Sequence, residues 1–146
     1  MLVIDKLGRR YIMLRTIPFA AASWIIVAVG MWLNGHLSSD EDSGLNAGSI
    51  TAFTGIILFL LCFSIGMSAT PWTVNSEIYP LHIIGSGNSV ATTTNWLSNF
   101  IVASIFPLFL DTTAGEVISF SVLAIFAVLA WVFVYILVPE TANKPI

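Results

Sequence analysis

The stretch that departs most from ordinary apolar sequence in this chain is Thr70-Pro71-Trp72-Thr73-Val74-Asn75-Ser76-Glu77-Ile78-Tyr79-Pro80. It ends a long uncharged run with a proline, a tryptophan and a carboxylate. Inside a membrane-spanning helix, Pro71 would remove a backbone hydrogen bond, and such breaks are tolerated only against protein or a water-filled cavity. The stretch therefore predicts a broken helix beside a cavity, or else a span that ends at the interface with Trp72 in the aromatic belt.

The composition around this stretch is that of a membrane protein. Of the 146 residues, 57% are hydrophobic and 9% are charged, whereas a soluble domain carries about a quarter charged residues. Four uncharged runs, 16–35, 43–76, 83–110 and 117–139, are long enough for the roughly 20 residues that cross a bilayer. The sequence predicts an all-α, polytopic membrane protein with four transmembrane helices.

The positions of the charges predict the orientation. Three basic residues precede the first span, Arg15 lies near its inner end and Lys144 follows the last span, while both outer connections lack lysine and arginine. Because basic residues favour the cytoplasmic side, both termini are expected to be cytoplasmic. The predicted segments are a cytoplasmic loop (1–11), a helix (12–33), an outer loop (34–49), a helix broken near Pro71 (50–79), a cytoplasmic loop (80–87), a helix (88–110), an outer turn (111–116), a helix (117–138) and a cytoplasmic tail (139–146).

The third predicted span carries a polar stripe. Its members recur at spacings of four, three and four residues and so share one helical face: Asn88, Thr92, Asn95 and Asn99. Amides that face lipid without a partner are costly, so the stripe is expected to face the helix bundle or water. It is open at this point whether the stripe binds a solute or only joins helices by hydrogen bonds.

Other kinds of chemistry find little support in the sequence. It contains no metal-ligand cluster, no nucleophile with a histidine base, no phosphate-binding glycine loop and no basic aromatic surface for nucleic acid. The single cysteine, Cys62, lies within a predicted span and predicts no disulfide framework. We therefore expect neither an enzyme nor a cofactor, and no nucleic-acid partner.

Three motifs resemble those of the sugar porters of the major facilitator superfamily. Asp5-Lys6-Leu7-Gly8-Arg9-Arg10 is similar to their D-x-x-G-R-[RK] loop, Pro71-Trp72 through Glu77-Ile78-Tyr79-Pro80 to their tenth helix, and Pro139-Glu140-Thr141 to their C-terminal P-E-T. The tenth-helix segment, with Gly87-Asn88 and Asn95-Trp96, most resembles the proton-coupled myo-inositol branch. The resemblance covers the whole chain and implies a fragment equivalent to helices nine to twelve, the last third of a twelve-helix fold.

The resemblance also implies roles for individual residues. Substrate binding is implied for Trp72, Asn95 and Asn99, and gating for Asp5, Gly8, Arg9, Arg10 and Glu77. The implied function is alternating-access transport of a sugar or polyol, myo-inositol first among them, coupled to protons. The implied partners are that solute, protons, the lipid bilayer and the N-terminal helices of the same transporter, and the implied location is the plasma membrane.

Two alternatives stay open beside this interpretation. The family usually has an arginine seven residues after the gating glutamate, where this chain has Ile84. That departure favours a transport-inactive membrane protein that acts by pairing its helices with another chain. A facilitative hexose carrier without proton coupling is the other alternative. No predicted span contains an acidic residue at mid-membrane, so these residues do not separate that carrier from a proton-coupled one.

Overall fold

The computed structural model describes residues 8–37 and 46–139, and these ranges are helical with no strand. Asp5, the outer residues 38–45 and the tail from 140 onward, which were part of the predicted loops and motifs, lie outside the described residues. The elements in order are α1 (Arg9–Leu37), α2 (Ala47–Gly66), α3 (Thr70–Ile78), α4 (Ile84–Ile105), a short 3-10 helix (Phe106–Phe109) and α5 (Thr113–Leu137).

Three segments of the described residues are long and apolar enough to cross a membrane: Arg9–His36, Ala47–Ile78 and Thr113–Leu137. Helix α4 has 22 residues, which is sufficient length, but it is not among the three. Its hydropathy is lower because it carries asparagine, threonine and serine side chains, which form the polar stripe and its neighbours. A fourth span over 88–110 therefore stays a prediction.

Some helices extend beyond the predicted bounds, and local contacts mark where they start. Helix α1 starts directly after Gly8, whose φ of 87° favours glycine, and it begins before and ends after the predicted 12–33. Helix α5 starts at Thr113 because the Thr112 side chain accepts a hydrogen bond from the Gly115 amide. Helix α4 starts at Ile84, earlier than the predicted 88, after a tight turn closed by the Ile83 amide and the Pro80 carbonyl.

The break in the second predicted span lies before Pro71. Helix α2 ends at Gly66, residues 67–69 form a turn, and α3 begins at Thr70. Pro71 is in the first turn of α3, where a residue needs no amide donor, so the proline starts a helix here instead of kinking one. Thr70 at this start is almost fully buried, which anchors α3 to the rest of the bundle.

Helix α1 is the central helix of the bundle. It contacts α2 closely because glycines remove side chains at the crossing: a β-carbon at Gly55 would lie 2.7 Å from Val27 Cγ2 and 3.0 Å from the Ser23 carbonyl oxygen. On its other side α1 packs against α5, where Val27, Ala28 and Phe120 form a buried cluster. Helix α4, in contrast, has no buried residue in this chain.

A tryptophan of α5 compensates for the proline of α1. Pro18 has no amide hydrogen, so the Leu14 carbonyl four residues earlier loses its usual helical donor. The indole Nε1 of Trp131 donates to that carbonyl at 3.0 Å. One turn further along α5, the Tyr135 carbonyl accepts a hydrogen bond of 2.6 Å from Arg10 Nη2. The start of α1 and the end of α5 therefore lie at the same end of the bundle.

Candidate functional site

A cleft of about 640 Å³ lies between the α2–α3 break and α4. That volume is in the range of small-molecule sites, roughly 300 to 1,000 Å³. The lining combines apolar and aromatic side chains with three amides and a hydroxyl: Phe63, Met67, Ser68, Pro71, Trp72, Asn75, Ala91, Asn95 and Asn99. The structure thus brings Trp72, Asn95 and Asn99, which were predicted as substrate-binding residues, to one cavity.

The break positions the indole of Trp72. Because α3 begins anew at Thr70, Trp72 lies in its first turn, and 44% of its surface is exposed. Phe63 and Met67, from the end of α2 and the turn, line the cleft together with this indole. The α2–α3 side of the cleft therefore carries an indole, a side chain that can pack on the C–H side of a sugar or polyol ring.

Helix α4 supplies amides to the opposite side. Asn95 and Asn99 are one helical turn apart, and Asn99 Nδ2 donates to the Asn95 carbonyl at 3.0 Å. Within the part of the chain that is described, this bond leaves the Asn95 amide and Asn99 Oδ1 without a protein partner. These groups can donate to and accept from several hydroxyls of a solute.

The polar stripe divides into two parts in the structure. Asn88 Oδ1 accepts a hydrogen bond of 2.6 Å from Asn75 Nδ2, which joins α3 to α4, whereas Asn95 and Asn99 line the cleft. Asn88 therefore joins two helices, whereas solute binding by Asn95 and Asn99 stays a prediction. Sequence reasoning did not single out Asn75; its spacing of four residues from Pro71 and three from Trp72, which places the three on neighbouring positions of one helix surface, was the available signal.

The predicted gating residues that the structure describes lie together at one end of the bundle. Arg9 Nη2 is 3.0 Å from Glu77 Oε1, and the two side chains are only 15% and 21% exposed. Gly8 begins α1 and so places Arg9 and Arg10 in its first turn. Among the described residues Glu77 Oε2 has no hydrogen-bond partner, and the predicted gating residue Asp5 lies outside them.

Helix α3 carries residues of both the cleft and the ion pair. Trp72 and Asn75 line the cleft, and Glu77 forms the ion pair. Glu77 follows Trp72 by five positions, which is about 7.5 Å along a helix. In the described ranges no group of three or more His, Cys, Asp or Glu side chains is placed to hold a metal ion, and Cys62 is a half-buried free thiol in α2. The site consists of hydrogen-bonding groups, an indole and one ion pair.

The apolar helices define the class of this chain, which is a multi-pass, all-α membrane protein. The family model described as "Sugar (and other) transporter" matches residues 1–146, so the chain belongs to that family. The sugar porter resemblance of the sequence is thereby confirmed.

Individual relatives include inositol and sugar transporters. "Probable inositol transporter 2" of Arabidopsis thaliana is 44% identical over 94 residues, 64% of this chain and 16% of its own length. "Sugar transporter ERD6-like 6" of the same plant is 32% identical over 97% of this chain and 28% of its own length. "Myo-inositol transporter 1" of Saccharomyces cerevisiae is 31% identical over 96% of this chain and 24% of its own length. No solved structure gives a significant match. The chain thus spans less than a third of these relatives.

Proposed function

We propose that this chain forms part of a transporter that moves a sugar or polyol across a membrane by alternating access, with myo-inositol as the favoured substrate. The observation that carries the proposal is the cleft with the Trp72 indole on one side and the Asn95 and Asn99 amides on the other. Amides match hydroxyls as donors and acceptors, and the indole covers the apolar ring face. Two relatives named as inositol transporters support this substrate class.

The proposal includes helices beyond these residues, because the chain spans less than a third of its relatives. Alternating access requires two halves that move around a central site. We propose that α4 spans the membrane as part of such a fold, that both termini are cytoplasmic, and that the protein resides in the plasma membrane. The Arg9–Glu77 pair would then close the cytoplasmic end when the site faces outward.

We also propose that transport is coupled to protons. This part of the proposal derives from the resemblance to the proton-coupled inositol branch. In proteoliposomes that contain the full-length protein encoded by the reading frame of these residues, an inward proton gradient should accelerate uptake of labelled myo-inositol, and a protonophore should remove that acceleration. Equal uptake with and without the gradient would favour the facilitative carrier.

Asn99→Ala tests the cleft directly. We expect this variant of the full-length protein to bind myo-inositol about 1 kcal/mol more weakly, roughly a fivefold rise in Kd, because one hydrogen bond to the solute is lost. Isothermal titration in detergent provides the measurement. Ser104→Ala is the matched control, since its hydroxyl lies on the same helix and, among the described residues, bonds only to the Phe100 carbonyl. Equal affinity in both variants would remove Asn99 from the site.

Ile84 favours the second candidate, a transport-inactive protein that acts by helix pairing. The described pair between Arg9 and Glu77 favours transport instead, because the glutamate already has a basic partner at 3.0 Å. We therefore expect Ile84→Arg to change the initial uptake rate by no more than about twofold, because a second basic residue near a carboxylate that already has a partner adds little. Uptake that is absent in the natural sequence and appears in Ile84→Arg would support the inactive protein.

A further inference from the structure

Asn75 brings a third amide to the cleft, from the opposite side to Asn95 and Asn99. It lies on α3, is half-buried and lines the cavity. Its Nδ2 donates to Asn88 Oδ1 on α4 at 2.6 Å. The two residues are 13 positions apart in the sequence, so this bond depends on the break that separates α3 from α2 and sets α3 beside α4.

The bond to Asn88 uses only part of the hydrogen-bonding capacity of Asn75. A primary amide has two N–H donors and a carbonyl with two lone pairs. Among the described residues, Asn75 Oδ1 and the second N–H have no partner. Because the last side-chain torsion of asparagine is otherwise broad, a bond from one N–H restricts the direction of the carbonyl. The hydrogen bond to Asn88 thus fixes the orientation of the Asn75 amide, while Oδ1 of Asn75 stays available as an acceptor.

We propose that Asn75 is a further substrate-binding residue, whose Oδ1 accepts a hydrogen bond from a ring hydroxyl of a cyclic polyol or sugar, and that Asn88 is its positioning residue. This inference rests on the proposed transport function. Asn95 and Asn99 approach a bound ring from α4, and Asn75 approaches it from α3. A ring held from both helices is recognised by the arrangement of its hydroxyls, because each hydroxyl must meet a differently placed amide.

The bond to Asn88 is the source of this specificity. An amide fixed before the solute arrives loses less conformational entropy on binding than a freely rotating one. It also favours solutes that present a hydroxyl donor at one place, since a solute without that donor leaves the carbonyl unpaired. Asn88 therefore acts on substrate choice through Asn75, without touching the solute itself.

The test is a set of binding measurements on the full-length protein with myo-inositol and its monodeoxy analogues, each lacking one hydroxyl. For Asn75→Ala we expect a three- to tenfold rise in the Kd of myo-inositol. One analogue should bind the natural protein with the same raised Kd that myo-inositol shows in Asn75→Ala. The Kd of that analogue should not rise further in Asn75→Ala, because the missing hydroxyl and the missing amide belong to one contact. In Asn88→Ala the natural preference for myo-inositol over that analogue should fall at least threefold.

Ser76→Ala is the matched control, since its hydroxyl is on the same helix and donates to the Thr73 carbonyl at 2.8 Å. It should leave both affinities unchanged. If Asn75→Ala and Asn88→Ala lower the melting temperature but leave every Kd ratio as in the natural protein, the amide pair only joins the helices and the inference is wrong. If the natural protein binds no polyol or hexose at all, the proposed function fails instead, so the two failures are distinguishable.

Discussion

If the proposed function holds, Glu77→Gln is expected to open the end of the bundle that we propose to face the cytoplasm. The substitution keeps the size of the side chain but removes the carboxylate that lies 3.0 Å from Arg9 Nη2. Exposed ion pairs contribute about 0 to 1 kcal/mol, whereas removal of one partner from a buried pair costs about 3 to 5 kcal/mol. With side chains 15% and 21% exposed, this pair lies between those limits. A cost of about 2 kcal/mol would shift the balance between closed and open inner ends roughly thirtyfold.

Cysteine accessibility measures this shift. In a Cys62→Ser background, Ile78→Cys places a thiol beside the pair on a residue that is 50% exposed. Maleimide applied from the side proposed to be cytoplasmic should label this thiol at least tenfold faster in Glu77→Gln than with the natural Glu77.

Glu116→Gln is the matched control, because that carboxylate lies in the first turn of α5, at the other end of the bundle. The charge exchange Arg9→Glu with Glu77→Arg should restore slow labelling. Equal rates in Glu77→Gln and Glu116→Gln would contradict a gating role.

Trp131→Phe is expected to destabilise the contact between α1 and α5. The phenyl ring retains most of the apolar surface but cannot donate to the Leu14 carbonyl, which Pro18 has deprived of its helical donor. A buried acceptor left without a donor costs about 1 to 3 kcal/mol. Unfolding of the full-length protein in mixed detergent micelles should show a loss in that range. Trp96→Phe, a change on a tryptophan that is 68% exposed, should show much less.

A second substitution identifies the cause of that loss. In Pro18→Ala, the new amide at position 18 can donate to the Leu14 carbonyl within α1, as in an uninterrupted helix. Trp131→Phe should then cost less than about 0.5 kcal/mol, and the double-mutant cycle should yield a coupling of about 0.5 kcal/mol or more. A cost of Trp131→Phe that is the same with proline and with alanine would show that the indole contributes by packing alone.

Local signals in the sequence predicted the helices and much of the site. Long apolar runs predict membrane helices on any fold, and the sugar porter motifs pointed to Trp72, Asn95 and Asn99, which line one cleft. The motifs also paired Arg9 with Glu77, and these side chains are in contact. Their roles in binding and gating stay predictions, because geometry alone does not measure a function.

Features that depend on how helices meet could not be predicted in the same way. The break lies at residues 67–69, close to Pro71 as expected, but the sequence did not reveal that Pro71 would lie in the first turn of a new helix. The bond between Asn75 and Asn88 requires the separate direction of α3, which no periodicity reveals. The donor that Trp131 gives to Leu14 comes from a residue 117 positions away, and sequence spacing carries no information about it.

The exposure of α4 has a consequence for the biogenesis of the protein. Helix α4 is long enough to span a membrane, but its amides and hydroxyls lower its hydropathy, so it is not among the three apolar candidate spans. It therefore gains less free energy than the other long helices on transfer from the translocon to lipid. It also buries no residue against the other described helices. If α4 spans the membrane, as we propose, we therefore expect it to enter the bilayer last, together with helices that are already inserted. The polarity that suits a solute-binding cleft would thus make membrane insertion the most demanding step in the synthesis of this chain.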